Sequence, residues 1–271
     1  MCFSRSGYFW LAVSVLLVLS GTGSLAADAG KPLSVDEIIR RAVARAQQAQ
    51  ANAGQSGYTY TKLTVTEELD STGRVKERKE KVYQVVFQAG ATHLKLLTVN
   101  GRSPAQADVK KQSENDENAR QVLGQSKSAK ALGNRENFLT PELVARFNFT
   151  LIDEKPINGR KAYRVGFEPK RPSPPVHRIV DRLLDRISGT VWIDADEFEI
   201  AHAEIYLGSE IDLLGGVVGC LKKLDYSMTR TRVGDGLWFN TFSSGDFQGR
   251  RLLDWMRIKT KSQSSNFRPL G

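Results

Sequence analysis

The sequence predicts an α+β fold, a curved antiparallel sheet of about ten strands with helices on one face. Three observations carry this expectation. Alternating apolar and polar segments recur at meander spacing from Tyr58 to the C-terminus, turn signals such as Asn158-Gly159 and Gly234-Asp235-Gly236 divide them, and helical periodicity is confined to a few short stretches. With 40% hydrophobic and 25% charged residues among 271, the composition is globular, which argues against a mainly disordered, collagen-like or multi-spanning chain. Two cysteines rule out a disulfide-dense scaffold.

The N-terminus reads as an address rather than as part of the fold. A basic start with Arg5, an apolar run Tyr8–Leu19 and a small-residue stretch Ser20–Ala26 have the layout of a secretory signal peptide, with cleavage expected after Ala26. The run is well short of the ~20 residues of a stable span, so an uncleaved anchor is the alternative. Cys2 precedes the run, where no lipid attachment is expected, and the mature chain from residue 27 is therefore expected to be soluble, unlipidated and periplasmic. It retains one cysteine, Cys220, read as a small packed hydrophobe.

Ser34-Val35-Asp36-Glu37 fits a capping box, and Val35, Ile38, Ile39, Ala42, Val43 and Ala46 follow at helical spacing, predicting an amphipathic helix over 34–50. Strands are expected at 58–65, 82–88 and 92–99, with a turn at Asp70–Gly73 and the charged run 74–81 as the solvated start of the second strand. The apolar parity switches between Tyr60 and Leu63, which suggests a bulge or a strand covered on both faces. Residues 104–137 are polar and read as a helical insertion. Thr140-Pro141-Glu142 opens a short helix, 147–153 and 161–168 form a hairpin about Asn158-Gly159, and 177–187 is another short helix. A hairpin about Asp194–Glu197 and strands at 221–232, 237–249 and 250–261 complete one domain, residues 27–271.

No catalytic pattern is present: no G-x-S-x-G elbow, phosphate loop, H-E-x-x-H or Cys/His zinc spacing. His93, His177 and His202 lie in separate segments, so neither a metal nor another cofactor is expected. Asp194 and Asp196 read as turn residues, since aspartates bond their own backbone in turns. The formal charge is +9, and residues 220–271 hold ten Lys and Arg against four Asp, a basic face able to attract anionic head groups. Export leaves little case for nucleic acid.

The stretches Asn158–Lys170 (NGRKAYRVGFEPK), Gly189–Asp194 (GTVWID) and Gly234–Phe239 (GDGLWF), with the signal peptide and first helix, carry a resemblance. The chain resembles the outer-membrane lipoprotein-sorting superfamily, LolA/LolB-like periplasmic carriers, over most of 30–265. The resemblance implies an unclosed β-barrel with helices packed in its concave face and an apolar cavity between them. It implies a monomeric, non-enzymatic carrier or sensor of lipoproteins or lipids. The insertion and the basic C-terminal half depart from the compact carriers of that superfamily. Candidate cavity residues are Tyr58, Tyr60, Leu63, Val65, Val85, Phe87, Leu94, Leu96, Trp192, Ile205 and Trp238. Partners would be acyl chains of lipids or lipoproteins, with an anionic membrane surface or envelope proteins in addition. The competing expectation is an envelope interaction module with a closed core that binds a partner through its basic face; a hydrolase would require His93 or His202 beside an acid in a cleft.

Overall fold

A computed structural model describes residues 32–52, 57–88, 91–114, 139–175, 179–213, 219–234, 236–251 and 254–270. The expected signal peptide, His177 and the part of the expected insertion beyond residue 114 lie outside the described residues. Residues Leu33–Gly271 form one compact unit.

Helix α1 (Val35–Asn52) starts where the Glu37 amide donates to Ser34 Oγ at 3.3 Å. The reciprocal half of the capping box is replaced by ion pairs, because the Glu37 carboxylate takes Arg40 and Arg41 at 2.7 and 2.6 Å. Eleven strands follow: β1 (Tyr58–Leu69), β2 (Val75–Gln88), β3 (Ala91–Val99), β4 (Phe147–Glu154), β5 (Ala162–Pro169), β6 (Ile187–Asp194), β7 (Ile200–Leu207), β8 (Ile211–Leu213), β9 (Gly219–Arg232), β10 (Trp238–Arg251) and β11 (Asp254–Pro269). The other helices among the described residues are α2 (106–114), α3 (Pro141–Val144) and α4 (Ile179–Leu184). Thr140 caps α3, its Oγ1 accepting the Leu143 amide at 3.2 Å, with Pro141 in the first turn where no amide donor is needed.

All the strands join one antiparallel sheet in the order β3-β2-β1-β11-β10-β9-β7-β6-β5-β4, with β8 paired to β9 beside this path. The sheet is an unclosed barrel, and α1 lies in its concave face. The predicted turns take the conformations their residues allow. Asn158 and Gly159 have φ of 51° and 76°, a pair of positive values that only Asn, Asp or Gly adopt cheaply. Asp70 Oδ1 gathers the amides of Thr72 and Arg74 at 2.9 and 3.0 Å.

Direct cross-strand partners share a face, so the register maps the concave side. One row runs Val165–Val191–Ala203–Met228 across β5, β6, β7 and β9, and continues Ser243–Ser262–Thr64–Lys81 across β10, β11, β1 and β2. Helix α1 buries Ile38, Ile39 and Ala42 against Val165 and Ile193 at one end of that row. Full burial of each isoleucine contributes about 1.5–3 kcal/mol, which anchors α1 over β4–β6. At the other end α2 crosses β2, where Asp108 meets Lys79 at 3.5 Å and Gln112 Oε1 accepts from Lys81 Nζ at 3.2 Å and Tyr83 Oη at 3.0 Å.

Candidate ligand-binding face

Six of the sequence-predicted cavity residues come together. Tyr58, Tyr60, Val85, Phe87, Leu94 and Leu96 form one cluster on β1–β3 with Tyr83, Phe239 and Phe267. The Phe239 ring is its hub, 5.5 Å from Tyr58 and Tyr60, 5.8 Å from Phe87 and 5.3 Å from Phe267. Tyr60, Val85 and Phe87 are buried, so this cluster is filled by its own side chains.

Three candidates turn away from it. Leu63 and Val65 lie on the convex face, because β1 pairs with β2 residue for residue from Tyr58 to Glu68 and its alternation never switches. The irregularity that the sequence places in β1 belongs to β11, where the register with β1 shifts opposite Thr59–Thr61 and Asn266 has φ 57°. Trp192 also points outward: its neighbours Val191 and Ile193 face α1, while its ring packs edge-on against His202 at 4.8 Å. Ile205 shares the alternation of Ala203 and so faces the concave side, half-buried, opposite Tyr226.

Trp238 is buried in a different setting, a rim of ion pairs. Its Nε1 donates to Glu197 Oε2 at 3.0 Å, and the Arg160 guanidinium lies 5.8 Å from its ring. Around it Glu199 is paired with Arg230 at 2.8 Å and Arg45 at 3.1 Å, and Glu197 with Arg232 at 2.7 Å. Arg45 Nη2 also donates to the Gly236 carbonyl at 2.6 Å, tying α1 to the β9–β10 turn. Asp194 is the turn residue the sequence predicts: its Oδ1 accepts the amides of Glu197 and Asp196 at 2.8 and 3.1 Å. Burial acts to raise its pKa, but the Arg160 guanidinium and those amides prevail and hold the carboxyl below its ordinary value.

The same pairing changes the reading of the basic C-terminal half. Arg230 and Arg232 face Glu199 and Glu197, Lys222 faces Glu210, and Lys223 and Arg257 share Asp246. Three of the ten cations, Lys222, Arg230 and Arg232, are thus met by acids from outside 220–271, which offsets half of that stretch's surplus. His93 is exposed on edge strand β3, while His202 sits on β7 bonded to Thr229 Oγ1 at 3.0 Å, so the two do not share a cleft. Glu210, Asp212 and Cys220 bring ligand-type atoms within 4.8 Å of one another, with Lys222 Nζ already 3.7 Å from Glu210. Among the described residues no helix is long and apolar enough to cross a membrane.

The face that sequence reasoning missed lies between α1 and α2. On the floor made by β9, β10 and β11, Leu224, Phe247 and Ile258 form one row, and Tyr226, Gly245 and Thr260 the next. Leu224, Tyr226, Phe247 and Ile258 are only half-buried, unlike the β1–β3 cluster. Gly245 permits this arrangement, since a Cβ there would stand 2.4 Å from the Phe247 ring, which folds over it. The signal was present as alternation in 224–228 and 256–260, yet alternation alone cannot say which face helices leave partly uncovered.

Searches against family models and curated proteins gave no match. Solved structures to which the chain is similar include an outer membrane lipoprotein-sorting protein domain from Vibrio parahaemolyticus, at 10% identity, covering 85% of this chain and 93% of that one, with a TM-score of 0.32. A LolA superfamily protein from Nitrosomonas europaea is similar at 11% identity, covering 83% and 94%, with a TM-score of 0.27. The Mycobacterium tuberculosis lipoprotein LppX is similar at 10% identity, covering 88% and 99%, with a TM-score of 0.30.

Proposed function

We propose that the mature chain is a periplasmic, non-enzymatic carrier or sensor of lipidated ligands, holding acyl chains against the concave face between α1 and α2. The observation that carries this reading is the row of half-buried apolar side chains, Leu224, Phe247 and Ile258 with Tyr226 and Ile205 beside it, on the inside of an unclosed barrel. Burying a chain there contributes about 0.8 kcal/mol per CH₂, so affinity needs no catalytic or charged group. The periplasmic location rests on the signal-peptide layout of residues 1–26.

Native mass spectrometry of residues 27–271 purified from a bacterial periplasm, followed by lipid extraction, tests the proposal. Discrete acyl-chain masses should accompany the protein, disappear in Phe247→Glu and persist in Leu63→Gln, whose side chain is on the convex face. Protein that emerges bare, and stays bare when offered phospholipid and a lipopeptide, would refute it. That outcome favours the second reading, an envelope interaction module with a closed core, for which the near-complete burial of Val85, Phe87 and Phe239 speaks.

A further inference from the structure

The concave floor is chemically sorted, and the sorting specifies the ligand more narrowly than an acyl chain. From β9 towards β7 the floor offers Tyr226, Met228, Ala203 and Ile205. Across β10, β11 and β1 it changes to hydroxyls: Ser243, Ser262 and Thr64 lie in one cross-strand row, and Thr260 and Thr66 in the next. Thr64 Oγ1 and Ser262 Oγ are 3.0 Å apart, and all five hydroxyl residues are half-buried. On β2 the upper row reaches Lys81, which pairs with Val99 of β3, and the row below reaches Lys79.

Strands repeat every ~4.8 Å, so Ser243 to Lys81 spans about 14 Å, the size of a polar head group rather than of a single hydrogen-bonded water. The charge on this floor is sorted too. Lys81 Nζ stands at the upper hydroxyl row, where it also donates to Gln112 of α2 at 3.2 Å, and Lys79 at the row below is met by Asp108 of α2 at 3.5 Å. Glu68 and Glu77 of β1 and β2 instead share the row of Ile258 and Phe247, with Glu68 paired to Lys76 at 3.4 Å. Hydroxyls backed by the Lys81 ammonium are the donor set that a phosphate ester requires, since its oxygens accept but do not donate.

We propose that the ligand is an amphiphile with a phosphate-bearing head, its tail along Leu224, Phe247 and Ile258 and its head on Ser243, Ser262 and Thr64 beside Lys81. This rests on the carrier reading, and it adds head-group selection to it.

Calorimetric titration of residues 27–271 with lauroyl lysophosphatidylglycerol and dodecyl maltoside, both below their micelle-forming concentrations, and with inorganic phosphate separates the two claims. The lysophospholipid should bind at least about tenfold tighter than the maltoside, which has a tail of similar length and no phosphate. The Thr64→Val/Ser262→Ala variant should lose that preference and keep its maltoside affinity; Ser243→Ala, a smaller change, serves if the double variant does not fold. Equal binding of both detergents, or a variant that weakens both alike, overturns the head-group assignment and leaves the carrier reading standing. Failure of both detergents to bind overturns the two together. Inorganic phosphate that competes as strongly as the lysophospholipid would identify free phosphate as the occupant and overturn the amphiphile.

Discussion

Replacing Phe239 by alanine probes the aromatic cluster on β1–β3 most directly. The side chain is 2% exposed and its ring meets four others at centroid distances between 5.3 and 5.8 Å. Truncating a buried phenylalanine costs about 3–5 kcal/mol, and each aromatic pair adds about 0.5–1.5 kcal/mol beyond area, so the cost should fall in the upper part of that range. Urea unfolding followed by far-UV circular dichroism would show it as a midpoint lowered by about 1–2 M with the slope unchanged. Phe239→Leu, which keeps most of the volume, should recover more than half of the loss. A penalty below about 1 kcal/mol for the alanine variant would refute the picture of a filled cluster and show that these rings already stand apart in the free protein.

Other perturbations should give equally definite results. Glu199→Gln leaves Arg230 and Arg45 without their shared carboxylate and should cost about 3–5 kcal/mol, whereas Glu199→Leu with Arg230→Met should recover the part owed to Arg230 and leave that of Arg45; a double variant more damaged than the single one would argue against Arg230 as a source of the loss. Asp194 has a lowered pKa in the folded chain, so its contribution is complete above the unfolded value of 3.8 and is lost as pH falls through the folded value. Asp194→Asn should therefore be less stable than the parent at neutral pH, with the difference shrinking as acid unfolding proceeds below 3.8; a difference constant down to about pH 2 would rule the carboxylate out as its source. Gly189→Ala would put a Cβ 2.0 Å from the Glu204 carbonyl oxygen and 2.8 Å from the Phe167 ring, and should cost at least about 1–3 kcal/mol by thermal melting. Trp255, 57% exposed with Lys222 Nζ 4.5 Å over its ring, should be replaceable by alanine within about 0.5 kcal/mol, while tryptophan emission loses its most easily quenched component.

Local chemistry was legible in the sequence wherever a few neighbouring residues decide it. The Ser34 and Thr140 caps, the Asn158-Gly159 turn and the aspartate turn at 194 follow from side chains bonding backbone a few positions away. Strand β8 escaped notice because three residues are too short for alternation to register. The site was less legible for two physical reasons. Leu63 and Val65 follow apolar spacing that says a strand is covered, but the register with β2 and β11, a relation between distant segments, decides which side each faces. The basic surplus of 220–271 is likewise overstated along the chain, because folding brings Glu197, Glu199 and Glu210 from other segments against half of it.

Strands β3 and β4 end the sheet order, and among the described residues no ladder of backbone hydrogen bonds joins them. A sealed barrel has a circumference set by its strand number and shear, and widening it means breaking backbone bonds along a whole strand. Here the hollow is filled by side chains instead, Ile38, Ile39 and Ala42 of α1 on β4–β6 and the aromatic cluster on β1–β3. Parting the two edges therefore breaks no ladder, and its cost is graded by the apolar surface uncovered. On the carrier reading proposed above, such a seam would let the hollow adjust to ligands of different thickness without unfolding.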